Sequence, residues 1–183
     1  MSEKLTSVQL HRALMSLGRL LPFQAALTIG GSSALLLTGA LDRVTDDCDV
    51  IESSVDFSRL LESIRRVETV DHAPPGWLNT SIQVHLDALP PKYRERLVAL
   101  PRMGQLAVSL LSRADVLAMK LYAGRPRDVQ DILLVAPTPV ELAFMETDIA
   151  RVAAKEPERA TRMQGRLEDL RGHLARPQRG PAR

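Results

Sequence analysis

The chain has 183 residues, of which 45% are hydrophobic and 25% are charged, a balance that excludes a protein disordered along its whole length. Its formal net charge of +2 gives no argument for nucleic-acid binding from bulk charge, and the 3% of aromatic residues leave the core to aliphatic side chains. The single cysteine excludes an internal disulfide framework and a zinc site built from cysteines, and it favours a reducing compartment.

The first predicted element is an amphipathic helix over residues 7–20, which ends before Pro22. Charged residues stand where a signal peptide needs its apolar centre, and no apolar run approaches the roughly 20 residues that span a bilayer. We therefore expect a cytoplasmic protein without a membrane segment.

The stretch LTIGGSSALLLTGALDRVTDDCDVI, residues 27–51, carries most of the information about function. Its pattern predicts a strand over 25–29, a turn at Gly30 and Gly31, a helix over 32–39 and a strand over 48–51. Side chains two positions apart on a strand share a face, so Asp47 and Asp49 point the same way while Cys48 faces the core.

The middle of the chain is predicted to contain a helix, a loop and two further strands. Apolar residues recur at helical spacing over residues 55–68, and the proline-rich stretch HAPPGWLN, residues 72–79, predicts a loop. SIQVHLDAL, residues 81–89, alternates between apolar and polar residues, which is typical of a strand with one face on the core. Asp87 would lie on the polar face of that strand. QLAVSLL, residues 105–111, predicts another strand.

The rest of the chain is predicted to be helical. A helix is expected to begin after Ser112 as its N-cap, with Asp115 at the third position, and to end at Gly124. Further helices are predicted over residues 127–135, 139–154 and 157–174. Strands interleaved with helices predict an α/β layer arrangement with a helical C-terminal part.

Two carboxylates on one face of a strand repel each other unless a cation lies between them. Asp47 and Asp49 therefore predict a site for Mg²⁺, which prefers oxygen ligands and is held by one or two carboxylates, water and phosphate oxygens. The simpler alternative is that these two residues and Asp46 only make a loop and a strand edge soluble.

The glycine pair lies between a predicted strand and a predicted helix. At such a junction the free backbone N–H groups of the first helical turn can bind an anion. Glycine lets a phosphate approach the backbone, and Ser32 or Ser33 can add a hydroxyl, although glycine also marks any tight turn. A phosphate site followed by a pair of carboxylates for a metal ion predicts chemistry on a phosphorus atom.

This block resembles the nucleotidyltransferase superfamily, the fold shared by polymerase beta, whose signature is a Gly-Gly/Ser turn followed by Asp-apolar-Asp. RVTDDCDV, residues 43–50, further resembles the R-x-T-x-D-h-D-V form of the small bacterial branch that includes the abortive-infection AbiEii and the MenT toxins. DVLAMKLYAGRPRDVQDIL, residues 115–133, is similar to that branch's second signature, a Lys on one helix and R-x-R/K-D-x-x-D opening the next. GWLN, residues 76–79, is similar to a linking loop of some uncharacterised members. The likeness covers roughly residues 25–135.

The resemblance implies an α/β fold with a nucleotidyltransferase-like mixed sheet flanked by helices, with Mg²⁺ at Asp47 and Asp49 and an NTP as substrate. It places Lys120 near the phosphates, and Asp128 or Asp131 would hold the basic side chains or take part directly. The residues expected to bind the nucleotide are Gly30, Gly31, Ser32, Arg43, Arg125, Arg127, Asp128 and Asp131. Without the resemblance, the members of this set that lie on predicted helices would be interpreted as a salt-bridged helix surface.

Active polymerase-like members carry a third carboxylate on a neighbouring strand, and Asp87 is the candidate here. An acid near the end of a strand is equally common as a turn former. If Asp87 is not the third ligand, either two carboxylates suffice or the protein only binds its nucleotide.

The resemblance implies an Mg²⁺-dependent nucleotidyltransferase that moves a nucleoside monophosphate from an NTP to an acceptor hydroxyl. The toxin branch points to an RNA 3′ end, such as that of tRNA, and to a cognate antitoxin as a partner. The alternatives are a non-catalytic relative that acts as an antitoxin-like or scaffold protein, and an enzyme that modifies a small molecule such as an aminoglycoside.

We predict three regions along the chain. Residues 1–135 form the nucleotidyltransferase-like domain, residues 136–174 form C-terminal helices packed on it, and residues 175–183 form a disordered basic tail.

Overall fold

The computed structural model describes residues 4–175, except for the side chains of residues 82–85. By its internal contacts the chain divides into two compact units, Met1–Val116 and Leu117–Arg183. The predicted basic tail lies outside the described residues from position 176 onward. The domain boundary predicted at residue 135 comes from the resemblance and stays a prediction.

The first unit contains the sheet and the helices around it. In chain order its α-helices and strands are α1 Ser7–Leu20, β1 Ala25–Ile29, α2 Gly31–Leu37, β2 Cys48–Ser53, α3 Leu61–Val70, β3 Leu78–Asn79, β4 Val98–Ala99 and β5 Leu106–Leu110, followed by the start of α4 Arg113–Ala123. Short 3₁₀ helices occupy Phe57–Leu60, Ser81–Ala88 and Tyr93–Arg96.

The described strands form one mixed sheet in the order β3-β2-β1-β5-β4. β1 runs antiparallel to β2 and parallel to β5, β3 runs parallel to β2, and β4 runs antiparallel to β5. The register between β1 and β2 shifts between Thr28 and Ile29, just before the glycine turn. Such irregularities bend a strand and often lie next to active sites.

The core of the first unit is aliphatic, as the low aromatic content predicts. α1 packs on α2, α3 and β5, and it does so because its apolar side chains recur at helical spacing. Core side chains that are at most 2% exposed include Leu10, Leu14, Leu17, Leu27, Ile29, Val50, Ile51, Leu106, Val108 and Leu110.

Two arginines and one tyrosine in the segment between β3 and β4 bind to acids in the rest of the unit. Arg94 pairs with Glu52 of β2, and the hydroxyl of Tyr93 donates to the same carboxylate at 2.7 Å. The Arg94 guanidinium lowers the pKa of Glu52, and burial together with Glu52 raises the pKa of Tyr93 to about 12. Arg96 donates to both oxygens of the fully buried Asp115, at 3.1 and 2.6 Å.

The predicted start of α4 is confirmed. Ser112 Oγ accepts a hydrogen bond from the Asp115 amide at 3.2 Å and donates to Asp115 Oδ2 at 2.5 Å. Gly124, with φ +61°, follows the helix at its C-terminal end, as predicted.

The second unit is helical within the described residues. After the end of α4 it contains α5 Pro126–Val135, α6 Pro139–Ala153 and α7 Pro157–Leu174. α7 packs against α5 and α6. Buried side chains recur at helical spacing at Met145, Ile149 and Val152 of α6 and at Met163, Leu167 and Leu170 of α7. Thr138 and Glu141 form a capping box at the start of α6.

The predicted α/β class with a mixed sheet is confirmed, as are the predicted helices and three of the four predicted strands, within about two residues at most ends. The strand predicted over residues 81–89 is wrong, because this segment is a 3₁₀ helix, Ser81–Ala88. At the start of this segment the side-chain oxygen of Asn79 accepts hydrogen bonds from the amide and the hydroxyl of Ser81, a local pattern that favours a turn over a continued strand. The short strands β3 and β4 were not predicted.

Within residues 4–175, no helix combines the length and the apolar character that a membrane span requires.

A close backbone contact between α1 and the turn before β5 leads to a prediction about stability. A Cβ atom at Gly18 would overlap the carbonyl oxygen of Met103, and the Gln105 amide donates to the Gly18 carbonyl at 2.8 Å. The obstructing oxygen belongs to the backbone, so no change of side-chain rotamer can relieve the overlap. We expect Gly18→Ala to lower the free energy of unfolding by about 1–3 kcal/mol, measured by urea denaturation.

The matched control is Gly165→Ala in α7, where an added Cβ would meet no atom within 4 Å. Because alanine has the higher helix propensity, this variant should gain stability by up to about 1 kcal/mol. Equal stability of the wild type and Gly18→Ala would contradict the contact.

Candidate active site

Two acids stand at the start of β2: Asp47 directly before the strand and Asp49 within it. Cys48 and Val50 are fully buried, whereas Asp47 and Asp49 are half-buried. The predicted alternation is therefore confirmed, with Cys48 in the core and the two aspartates on the opposite face.

The glycine turn lies directly against the second of these acids. Gly31 has φ +60°, a left-handed conformation that favours glycine, and a Cβ atom there would overlap Asp49 Oδ2. The Gly30 amide donates to the Asp49 carbonyl at 2.9 Å. Glycine at position 31 is thus required twice, by its backbone angle and by the carboxylate beside it.

Gly30 has a different role from its neighbour. It is buried, and a Cβ atom at this position would lie 2.6 Å from Ile51 Cδ1 and 3.1 Å from Leu111 Cδ1. The structure therefore places Gly30 in the packing under the turn, and its predicted part in nucleotide binding stays a prediction.

Hydroxyl groups hold the loop that leads into β2. Ser33 Oγ donates to the Asp47 carbonyl at 2.7 Å, and Thr45 Oγ1 donates to the same oxygen at 3.2 Å. These contacts fix the backbone of Asp47 from the helix on one side and from the loop on the other.

The predicted basic residue Arg43 lies beside the glycine turn. Its Nη2 donates to Ser32 Oγ at 2.7 Å, and its Nη1 donates to the Val44 carbonyl. A guanidinium therefore lies next to the N-terminal end of α2, where backbone N–H groups precede the first intrahelical hydrogen bond. Positive charge and N–H donors at one place make this end of α2 suited to phosphate.

Asn79 is part of the site, and no role was predicted for it beyond its place in GWLN. It ends β3, where it is the register partner of Asp49, and its Nδ2 donates to Asp47 Oδ2 at 2.7 Å. Pairing between strands so far apart in the chain carries no local signal in the sequence.

Cys48 is part of the core and not of the polar face of the site. Burial, and after it the negative charge of Asp49, raises the pKa of the Cys48 thiol far above its ordinary value. Such surroundings disfavour the thiolate, the form that acts as a nucleophile or a metal ligand.

The predicted third carboxylate is Asp87. Its predicted strand is absent, and Asp87 is exposed near the end of the 3₁₀ helix that begins at Ser81. Within the described residues, no three His, Cys, Asp or Glu side chains come together as a metal site. The role of Asp87 stays a prediction.

The donor set at Asp47 and Asp49 fits Mg²⁺. Both residues offer carboxylate oxygens, which Mg²⁺ prefers, and both are accessible on the face that carries the glycine turn. Two carboxylates are also the usual number where the remaining ligands are water and substrate phosphate.

The second unit contains a compact ionic cluster built from four of the predicted residues. Lys120 Nζ donates to Asp128 Oδ1 at 3.0 Å and to Asp131 Oδ2 at 2.7 Å, and Arg125 Nε donates to Asp128 Oδ2 at 2.9 Å. Lys120 is 6% exposed and Asp131 is 1% exposed, whereas Arg125 and Arg127 are exposed. Asp128 and Asp131 thus hold basic side chains, and contact of Lys120 with phosphate stays a prediction.

The buried cluster leads to a prediction about stability. Lys120→Met should leave Asp128 and Asp131 buried without their shared cation, which costs about 3–5 kcal/mol. Thermal unfolding measures the loss. Arg125→Met is the matched control, because the Arg125 side chain is 73% exposed and its pair with Asp128 should contribute little. Equal losses in the two variants would contradict a buried cluster centred on Lys120.

Comparison with known proteins agrees with the geometry. A family model described as "Nucleotidyltransferase of unknown function (DUF6036)" matches residues 9–140, which is well over half of the chain. No curated protein and no solved structure matches the chain. Membership in the branch that includes AbiEii and MenT stays a prediction. The chain belongs to the family of nucleotidyltransferases of unknown function, DUF6036.

Proposed function

We propose that this protein transfers a nucleoside monophosphate from an NTP to an acceptor hydroxyl, with Asp47, Asp49 and the turn at Gly31 as its centre. The observation that carries the proposal is the contact between the turn and an acid: only glycine fits at position 31 beside Asp49 Oδ2. A phosphate bound by the turn would therefore lie next to the two carboxylates. Membership in a nucleotidyltransferase family supports a transferase in general.

The triphosphate would bind to the N-terminal end of α2. Backbone N–H groups of the turn and the hydroxyl of Ser32 offer hydrogen-bond donors, and Arg43 brings a full positive charge to the same place. In the structure the Ser32 hydroxyl oxygen accepts a hydrogen bond from one nitrogen of the Arg43 guanidinium. Phosphate oxygens, which are charged acceptors, would form stronger hydrogen bonds with Arg43 than the hydroxyl does.

Asp47 and Asp49 would hold Mg²⁺, which when bound neutralises charge on the phosphate oxygens and activates the attacking hydroxyl. The chain itself fixes the position of the Asp47 carboxylate. Ser33 and Thr45 hold the backbone of Asp47, and Asn79 holds its side chain. Such prearranged groups need no reorganisation as the reaction proceeds.

The proposed reaction is an in-line displacement at the α-phosphorus. The acceptor oxygen forms a bond to phosphorus while the bond to the β-phosphate oxygen breaks, and pyrophosphate leaves with the electron pair. The hydroxyl proton is released to solvent. The residues of the turn would keep the leaving phosphates in place, which aligns the attack.

We further propose an RNA 3′ end, such as that of tRNA, as the acceptor, and a toxin that is neutralised by a cognate antitoxin as the biological role. Support comes from the resemblance of residues 43–50 and 115–133 to the toxin branch.

The function is tested by incubating the protein with each labelled NTP and total cellular RNA in the presence of Mg²⁺. We expect label in RNA with the wild type, and none with Asp47→Ala or Asp49→Ala, because either change removes half of the carboxylate pair. Asp42→Ala, which changes an exposed acid of the same loop, is the matched control and should label RNA normally.

Calorimetry with an NTP and Mg²⁺ separates the alternatives. Binding heat that disappears in Asp49→Ala supports the enzyme, whereas a wild type without binding heat would favour a scaffold or antitoxin-like protein. Label that persists in Asp47→Ala would refute the assignment of the site.

The contact at the turn leads to a further prediction. Gly31→Ala should weaken NTP binding strongly, because the new methyl group displaces Asp49 and the residue must keep a positive φ. Gly39→Ala is the matched control: Gly39 has φ +71°, but a Cβ there meets no atom within 4 Å. Both variants carry backbone strain of about 1–2 kcal/mol from the positive φ, so a loss of NTP affinity confined to Gly31→Ala reflects the overlap with Asp49. Equal NTP affinity of the two variants, measured by calorimetry, would contradict the role of the turn.

A further inference from the structure

Asn79 lies at the edge of the sheet beside both acids of the proposed site. β3 is the strand next to β2, and the parallel register pairs Asn79 with Asp49. Register partners on adjacent strands point to the same face. Since Asp47 and Asp49 share a face, Asn79 completes a group of three polar side chains there.

The two ends of the Asn79 amide have separate partners. Oδ1 accepts hydrogen bonds from the Ser81 amide at 2.9 Å and from Ser81 Oγ at 2.6 Å, while Nδ2 donates to Asp47 Oδ2 at 2.7 Å. A backbone amide can only donate and a carboxylate can only accept, so the orientation of the side chain is fixed by its neighbours.

Asn79 is presented by an anchored segment. Trp77 is fully buried, its carbonyl accepts a hydrogen bond from the Cys48 amide at 2.6 Å, and its amide donates to the Pro74 carbonyl at 3.0 Å. Leu78, which precedes Asn79, is 3% exposed. The position of the Asn79 amide relative to β2 is therefore set by the core and by the strand ladder.

We infer that Asn79 is a positioning residue for Asp47, a role that rests on the proposed function. By donating to Oδ2 it fixes the rotation of the Asp47 carboxylate and leaves Oδ1 to the divalent cation. A neutral donor does this without adding a third negative charge to two neighbouring carboxylates. Groups that orient metal ligands in this way typically change metal affinity by 10–100-fold.

The competing interpretation is that Asn79 only forms the turn that ends β3. Asn79→Asp separates the two roles, because an aspartate keeps the acceptor for Ser81 but loses the donor to Asp47. A residue needed only for the turn would tolerate this change. A positioning residue would not, since a carboxylate oxygen would then face Asp47 Oδ2 in place of an N–H.

The test uses the full chain and Mn²⁺ as the probe, with free Mn²⁺ followed by electron paramagnetic resonance and unfolding followed by circular dichroism. We expect Asn79→Ala to weaken Mn²⁺ binding by at least 10-fold. Asn79→Asp should unfold at a lower temperature than the wild type without the ion and should recover when Mn²⁺ is added, because a cation relieves the repulsion.

Two further variants serve as controls. Ser81→Ala removes one of the two hydrogen bonds to Oδ1 and leaves the contact with Asp47, so its Mn²⁺ affinity should equal that of the wild type. The exchange Asp47→Asn with Asn79→Asp restores a hydrogen bond with its direction reversed. It should regain the unfolding temperature that Asn79→Asp loses in the absence of Mn²⁺.

The outcomes distinguish this inference from the proposed function. If the wild type binds Mn²⁺, both variants match it in Mn²⁺ affinity and Asn79→Asp also matches it in unfolding temperature, Asn79 is only a turn residue and the proposed function stands. If Asn79→Ala fails to fold, Asn79→Asp and the exchange variant decide the question. A wild type that does not bind Mn²⁺, alone or with ATP, would overturn both.

Discussion

The contact between the Gly31 backbone and the Asp49 carboxylate is the constraint on which the site depends. It requires a glycine with positive φ, an antiparallel pair of β1 and β2, and a hydrogen bond from Gly30 to the Asp49 backbone. The first feature is a backbone dihedral angle, the second a pairing of strands and the third a single backbone hydrogen bond. Together they bring the end of one strand and the beginning of another to the same point, so that the proposed phosphate site and the proposed metal ligand Asp49 are neighbours.

The second constraint is the alternation at the start of β2. Cys48 is fully buried, and its raised pKa keeps it uncharged beside two acids. The core side chains on one face therefore anchor the strand, and the acids on the other face remain accessible. Mutual repulsion of the acids is compensated at Asp47 by the donor of Asn79, and a divalent cation would compensate the rest.

The sequence predicted most helices and the long strands because their apolar residues repeat at the period of the element. The alternation at residues 81–89 misled the prediction, since hydrogen bonding to a side chain of the preceding strand, Asn79, favours a turn there. Asp47 and Asp49 could be singled out from their spacing of two, although β2 begins only at Cys48, between them. The contact between Asn79 and Asp47 could not, because a pairing across 32 positions depends on which strands become neighbours. Asp128 and Asp131 were identified by their motif, although their contacts with Lys120 required the structure.

We propose that Asp47 and Asp49 bind a divalent cation next to a phosphate held by the Gly31 turn. A crystal structure with Mn²⁺ and a non-hydrolysable NTP analogue would show both partners at once. We expect an anomalous peak at coordination distance from carboxylate oxygens of both aspartates, with phosphate oxygens at the backbone N–H groups that follow Gly30. A nucleotide bound elsewhere on the chain, with no metal between the two aspartates, would contradict it.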